Sequence, residues 1–200
     1  MGPTHKKVLD SLAHLKCIYI NACSMSNKQG ELEAMMQHEN YDIVAIRDTW
    51  WDASHDWSAA IDGYKLFRRD RQGRRGGGVA LYVRECCEGS EIKYSDNGVE
   101  GVWIRLRANK ADLAVGVCYR PPNQSSEGDE AFYKQLGEIS WSLAIVLVGD
   151  FNLPGICWDH STAEREQSRR FLECLEDNFL TQLVSELTRE GKVPSWTCFF

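Results

Sequence analysis

The sequence has no long apolar run, and nowhere does it approach the roughly 20 apolar residues that a transmembrane helix needs. We therefore expect no membrane partner. It also contains no secretory signal and no C-x-x-C pair, which argues against a zinc ribbon and a thioredoxin-type redox motif. Its eight cysteines are accordingly expected to be reduced, mostly buried thiols of an intracellular protein, in the nucleus or the cytoplasm.

Positive charge is also scarce. Lysine and arginine total 23 residues against 29 aspartates and glutamates, which leaves a net charge of −6. A protein that binds nucleic acid through its overall charge is basic, so any such contact here requires a local basic patch. The acidic balance is compatible with a carboxylate-rich metal site. With 200 residues and 43% hydrophobic content, the chain fits one domain of moderate size with a core.

The order of patterned segments predicts an α/β fold. Strand patterns in Lys16–Cys23 and Tyr41–Ile46 flank a helical pattern in Lys28–Glu39, which is typical of a βαβ unit with parallel strands. Five strand-like segments then follow without helices, which favours antiparallel pairing: Tyr64–Arg69, Val79–Arg84, Glu91–Ser95, Val102–Arg107 and Leu113–Tyr119. Helix, strand and helix patterns return at Ala131–Leu143, Ala144–Gly149 and Glu164–Leu180. This arrangement predicts a layered α/β sandwich.

The segment Gly149-Asp150-Phe151-Asn152 closes a continuous apolar strand. Ligand groups in open α/β sheets gather at the carboxyl ends of strands. Asp150 and Asn152 project to the same side of an extended backbone, where they can hold a water, a metal ion or a phosphate oxygen. A simple turn is an equally good interpretation, because glycine, aspartate and asparagine are common turn formers.

Asn21 and Asp48 each lie just beyond an apolar strand, Ile18–Ile20 and Ile43–Ile46 respectively. If those strands are parallel neighbours, both side chains emerge at one edge of the sheet. Mg²⁺ prefers oxygen ligands, so this pair is a candidate metal site. Alone, either residue is more often a helix cap or a turn residue.

Two further segments are candidates for contact with phosphate. Tyr119 and Arg120 end a strand before two prolines, and a phenol and a guanidinium can both bind phosphate. The alternative is a tyrosine packed at a sheet edge with its arginine in solvent. A basic, glycine-flanked loop that could follow a nucleic-acid backbone holds five arginines: Arg68, Arg69, Arg71, Arg74 and Arg75. It can equally be a solvated loop.

Taken in order, these motifs resemble a known family. They are strand-Asn21, strand-Asp48-Thr49-Trp50, Arg75-Gly76-Gly77-Gly78, Tyr119-Arg120-Pro121-Pro122 and Gly149-Asp150-Phe151-Asn152. The chain is similar, from about Leu15 to Gly191, to the endonuclease domain of LINE-type non-LTR retrotransposons, and most similar to the chicken-repeat class. The resemblance implies a four-layer α/β sandwich of the endonuclease/exonuclease/phosphatase (DNase I-like) type. It also implies DNA nicking that depends on Mg²⁺ (or Mn²⁺) and that primes reverse transcription.

The resemblance also implies roles for matched positions. Asn21 would help to hold the metal or the phosphate, and Asp48 stands where the family has its metal-binding glutamate. Tyr119 would contact the phosphate. Asp150 would orient the attacking water or serve the leaving group, and Asn152 would bind the scissile phosphate. With Arg120, the five loop arginines would contact nucleic acid.

The chain departs from the family in two ways, from which we expect weak or absent activity. Asp48 is one carbon shorter than the family's glutamate, and the preceding Arg47 could pair with it. The family's terminal Ser-Asp-His motif is absent. We therefore expect residues 1–15 to be a leader, residues 16–191 an incomplete domain without its last strands, and residues 192–200 an unrelated tail. In a full-length member, a reverse transcriptase domain is expected downstream.

Three alternative functions remain open at this point. The chain could be a non-catalytic nucleic-acid binder that uses its arginine loop, or a genomic remnant that folds poorly. It could also keep the fold and act on another substrate, since related domains act on abasic-site DNA, inositol phosphates or sphingomyelin.

Overall fold

The computed structural model describes residues 15–71, 73, 76–94, 98–107, 112–183 and 198–199. Within these residues the helices are α1 (Gln29–Glu39), α2 (Ser126–Ser140) and α3 (Glu166–Asp177). The first four strands are β1 (Cys17–Asn21), β2 (Ile43–Arg47), β3 (Tyr64–Arg69) and β4 (Val79–Arg84). The remaining strands are β5 (Gly89–Ile92), β6 (Glu100–Leu106), β7 (Leu113–Tyr119), β8 (Ala144–Asp150), β9 (Ile156–Cys157), β10 (Thr162–Ala163) and β11 (Cys198–Phe199). Short 3₁₀ turns lie at Ala53–His55, Glu85–Cys87 and Trp158–His160.

The strands form two large sheets. The first has the order β1-β2-β4-β3, in which β1 and β2 are parallel and the other neighbours antiparallel. The second has the order β11-β8-β7-β6-β5, in which only β7 and β8 are parallel. The predicted βαβ unit is confirmed, and so is the antiparallel pairing of β3 with β4, β5 with β6 and β6 with β7.

The two sheets pack face to face over an apolar layer. Leu81 and Val83 of β4 lie in one buried cluster with Ile104 of β6 and Val115 and Val117 of β7. Side chains alternate along a strand, so the opposite face of each sheet must also be covered. Because helices do this, strands such as β4 are buried on both faces and read as continuous apolar runs.

Helices cover the outer faces of the sandwich. Leu32 and Met36 of α1 pack on the first sheet against Val44 and Tyr82. On the second sheet, α2 and α3 pack against β6, β7 and β8 through Phe132, Leu136, Phe171, Trp103, Ala114 and Leu147. The layers run helix, sheet, sheet, helix. The predicted four-layer α/β sandwich is therefore confirmed.

Helix α2 begins earlier in the structure than the apolar pattern predicts. The predicted helix begins at Ala131, where helical spacing of apolar residues starts. In the structure α2 begins at Ser126, because the hydroxyl of Ser125 caps it by accepting a hydrogen bond of 3.1 Å from the backbone N–H of Gly128. Polar residues of the first turn thus belong to the helix.

Residues 1–14 of the expected leader, residues 184–197 and Phe200 lie outside the described residues. Within the expected tail, β11 pairs antiparallel with β8 opposite Gly149 and Val148. The proposed domain boundaries stay predictions. Among the described helices, none combines the length and the apolar character that crossing a bilayer requires.

Cysteine burial is more mixed than expected. Among the described thiols Cys87, Cys118 and Cys174 are buried. Cys23, Cys86 and Cys157 are exposed, which corrects the expectation of mostly buried cysteines.

The close approach of β7 and β8 gives a test of this fold. A Cβ added at Gly149 would lie 2.1 Å from the carbonyl oxygen of Cys118, a backbone atom that cannot move aside. We expect Gly149→Ala to lower the free energy of unfolding by about 1–3 kcal/mol or more, measured by urea denaturation. Gly155→Ala is the control, because nothing lies within 4 Å of its added Cβ. Equal losses in the two variants would contradict the pairing of Gly149 with Cys118.

Candidate functional site

Four strand ends bring the predicted residues to one edge of the sandwich. Asn21 at the end of β1 pairs with Arg47 at the end of β2. Tyr119 at the end of β7 pairs with Asp150 at the end of β8. The guanidinium of Arg47 donates from Nη1 to Oδ2 of Asp150, which joins the two sheets at this edge. The structure thus brings together site residues that are distant in the sequence.

The segments after β1 and β2 are held side by side. The backbone N–H of Ser24 donates to the carbonyl of Asp48 at 2.8 Å, and that of Ala22 donates to the carbonyl of Arg47 at 2.9 Å. Asp48 has a positive φ of 58°, a left-handed conformation that aspartate tolerates better than most residues. The expected proximity of Asn21 and Asp48 at one edge is therefore found.

The turn interpretation of Gly149-Asp150-Phe151-Asn152 is confirmed, while its role in binding a water, a metal ion or a phosphate stays a prediction. Oδ1 of Asp150 accepts a hydrogen bond of 3.0 Å from the backbone N–H of Asn152, which is an Asx-type turn. Asn152 has φ of 49°, and its side-chain amide donates to the carbonyl of Arg120 at 2.7 Å. The motif is a turn, and it also fixes a carboxylate at the site.

Arg47 is the central cation of the site. Besides its bond to Asp150, its Nε lies 3.3 Å from Oδ2 of Asp48, an ion pair without hydrogen-bond geometry. Its side chain is only 11% exposed. Burial acts to lower the pKa of the Arg47 guanidinium, but Tyr19 and the two carboxylates raise it, and the net shift is upward. Arg47 therefore stays charged between two aspartates.

The other side chains that could bind a metal ion also have partners within the protein. Oδ1 of Asn21 accepts from the backbone N–H and from Sγ of Cys23, each at 3.3 Å. Both oxygens of Asp150 have partners, and Asp48 lies beside Arg47. In the part of the chain that is described, no group of three or more histidine, cysteine, aspartate or glutamate side chains is placed to hold a metal ion. As folded, these residues do not fit Mg²⁺ or Mn²⁺.

Tyr119 lies between two guanidinium groups. Cζ of Arg47 is 5.0 Å from the centroid of its ring and Cζ of Arg71 is 5.5 Å away, both within cation–π distance. Arg71 also donates to Glu100, whose other oxygen accepts from the backbone N–H of Gly78 at 3.0 Å. Burial acts to lower the pKa of Arg71, while Glu100 and Tyr119 raise it, with a net upward shift. Glu100 thus ties the glycine-rich segment to the site.

The described part of the basic loop is not an open patch. Arg68 donates to Asp56 and to the carbonyl of Asp52, and its Nη2 lies 3.2 Å from Asp70. Arg71 is paired with Glu100, and Arg69 ends β3 and is partly buried. Arg74 and Arg75 lie outside the described residues. The predicted nucleic-acid role of Arg68 and Arg71 is corrected, because neighbouring carboxylates compensate their charge.

Arg120 also has a structural role. It is 1% exposed, and it donates from Nε and Nη2 to the two oxygens of Asp129 at 2.7 and 2.8 Å. Its Nη1 donates to the carbonyls of Pro121 and Phe151, each at 3.3 Å. The expected nucleic-acid contact of Arg120 is therefore wrong, because the guanidinium is buried and fully directed into the protein.

Asp129 and Glu100 are the partners that the sequence analysis missed. Asp129 precedes Phe132 by three residues and Leu136 by seven, which is the spacing of one helix face, so its burial was detectable in principle. A carboxylate on an apolar helix face signals a buried cation partner. Glu100 carries no comparable signal, since it is the polar first residue of β6.

Comparison with solved structures identifies the type of fold. No protein-family model and no curated protein matches the sequence. The endonuclease domain of TRAS1, a telomere-specific non-LTR retrotransposon, is similar at 15% identity and a TM-score of 0.63, over 92% of this chain and 84% of that one. The AP endonuclease LMAP from Leishmania major has 15% identity and a TM-score of 0.63, over 82% and 66%.

An AP endonuclease from Archaeoglobus fulgidus is similar at 16% identity and a TM-score of 0.51, over 82% of this chain and 70% of that one. At such identities the likeness shows the fold alone. The chain therefore has the endonuclease/exonuclease/phosphatase fold, of the DNase I-like type. The chicken-repeat class and the truncation expected from the sequence stay predictions.

The buried ion pair gives a test of how the site is supported. Removing Arg120 leaves Asp129 charged and unpaired in the interior, so Arg120→Ala should lower the free energy of unfolding by about 3–5 kcal/mol. The control is Arg170→Ala, because the Arg170–Glu130 pair has side chains about half exposed and should contribute less than about 1 kcal/mol. Urea denaturation of both variants measures the difference. Similar losses would show that Arg120 is not the interior anchor described above.

Proposed function

We propose that this chain is a nuclease-type domain that contacts the phosphodiester backbone of DNA and cleaves it weakly. The observation that carries the proposal is the convergence of Asn21, Asp48, Tyr119, Asp150 and Asn152 at one edge of the sandwich. The substrate class rests on the fold likeness, since the similar structures are endonucleases.

The chain's own residues can perform part of phosphodiester chemistry. The phenol of Tyr119 can donate to a phosphate oxygen, and the guanidinium of Arg47 lies over its ring. Asp150 is fixed by its turn and can orient a water or accept its proton. These groups act without reorganising, because each is already held by the fold.

We expect cleavage to be weak because Arg47 is paired with the carboxylates that a metal ion would need. The resemblance implies that Mg²⁺ (or Mn²⁺) would stabilise charge developing on the phosphate. As folded, however, Arg47 engages both carboxylates. Asp48 is also shorter than a glutamate by about one C–C bond, roughly 1.5 Å. We therefore derive no step from a metal ion, and we expect only a residual rate.

The proposal also covers the domain that would act with this one and the cellular compartment in which the chain would act. A nick in DNA exposes a 3′ end, which would prime a reverse transcriptase, as the resemblance implies. We propose that such a domain is a partner in a longer protein, and that the chain acts where DNA is present, in the nucleus or the cytoplasm.

A second candidate is a non-catalytic DNA binder. The double ion pair of Arg47 favours it, because it removes the carboxylates from metal chemistry. Since Arg68 and Arg71 are also paired with carboxylates, few phosphate contacts are expected. Binding by this candidate should be independent of metal and depend only weakly on salt.

A nicking assay tests the proposal. Purified protein incubated with supercoiled plasmid should convert a small fraction to the nicked form, and it should do so in EDTA as well as in Mg²⁺, because Arg47 occupies both carboxylates. Asp150→Asn should abolish that conversion, because the amide cannot accept a proton from water. Asp159→Asn should not change it, since Asp159 is an exposed residue of a 3₁₀ turn outside the site.

Three outcomes separate the candidates. Efficient Mg²⁺-dependent nicking would contradict weak cleavage. DNA binding without nicking would favour the second candidate. A folded protein, judged by circular dichroism, that neither binds nor nicks DNA would contradict both.

A further inference from the structure

The edge of the sandwich carries a cation of its own. Arg47 ends β2 in the first sheet, and its guanidinium reaches Asp48 on its own strand end and Asp150 on β8 of the second sheet. The side chains of Arg47 and Asp150 are 11% and 12% exposed. A guanidinium bound by two carboxylates in a poorly solvated place is a specific arrangement and not a surface contact.

The two carboxylates also have little capacity left. Asp150 uses Oδ2 for Arg47 and Oδ1 for the backbone N–H of Asn152. Asp48 lies beside Nε of Arg47, and Asn21 directs its carbonyl oxygen to Cys23. A metal ion would therefore have to displace existing contacts.

We propose that Arg47 is a built-in counter-cation, which takes the place of a divalent metal ion between Asp48 and Asp150. Divalent ions then bind this edge only when the positive charge of Arg47 is removed. The proposal concerns the same site as the proposed function and rests on it for the site's identity, but it makes no claim about cleavage.

Space and charge both support the substitution of one cation for the other. A magnesium ion shared by the two carboxylates would lie at about 2.1 Å from an oxygen of each. The guanidinium of Arg47 already contacts one oxygen of each carboxylate, Oδ2 of Asp48 and Oδ2 of Asp150. If a metal ion took the carboxylates, the guanidinium of Arg47 over the ring of Tyr119 would lose its anionic partners while still buried. It would also be repelled by the neighbouring divalent ion.

Metal binding to the full chain tests the proposal without reference to activity. In isothermal titration calorimetry with Mn²⁺, metal-free Arg47→Gln should bind one ion at least about tenfold more tightly than the unsubstituted chain, because a like charge has been removed from the site. Arg47→Lys keeps the charge and should bind as weakly as the unsubstituted chain. The double variant Arg47→Gln/Asp150→Asn should lose the gain.

Equal Mn²⁺ affinity in the unsubstituted chain and in a folded Arg47→Gln variant would overturn the proposal. If that variant fails to fold, the side-chain Nε–Hε resonance of Arg47 in the unsubstituted chain decides. It should stay unchanged through millimolar Mg²⁺, and a saturable shift would overturn the proposal. Because neither readout involves DNA, a chain that never nicks DNA can still support or contradict it.

Discussion

The ion pair between Arg47 and Asp150 is the contact on which the site depends. It joins the end of a strand in one sheet to the end of a strand in the other, so it holds the two halves of the site at a fixed distance. It also determines the chemistry available there, because it neutralises the carboxylate that the fold places best. Asp48 and Tyr119 are arranged around the same guanidinium. One side chain thus supports the architecture of the site and limits its activity.

The layered fold could be predicted because its signals are local and repeated. The run Val79–Val83 is apolar and buried, which indicates a strand covered on both faces, and helices do cover both outer faces of the sandwich. The convergence of Asn21 and Asp48 followed from one topological inference, that β1 and β2 are parallel neighbours. The carboxyl ends of parallel neighbouring strands lie at the same edge of a sheet, however far apart they are in the sequence. The start of α2 was missed because Ser125 ends the loop by capping, which apolar spacing does not reveal.

The partners of the arginines could not be predicted in the same way. Arg120 and Arg68 have the residue type and the loop context of phosphate-binding groups, but each is bound to aspartates of the chain itself. Which acid meets which base depends on tertiary distances that periodicity does not encode. The composition held a hint, since 29 acidic residues outnumber 23 basic ones and an arginine in such a chain has many internal partners. Only Asp129 carried a local signal, its place on an apolar helix face.

Asp48 and Arg47 act together at this edge and not separately. An aspartate at position 48 holds its carboxylate closer to the backbone than a glutamate would, by roughly one C–C bond. The guanidinium of Arg47 forms ion pairs with both Asp48 and Asp150. Lengthening the side chain at position 48 alone would not restore a metal site, because the competing charge would stay in place. The charge at position 47, more than the length at position 48, therefore controls whether this edge of the fold can hold a metal ion.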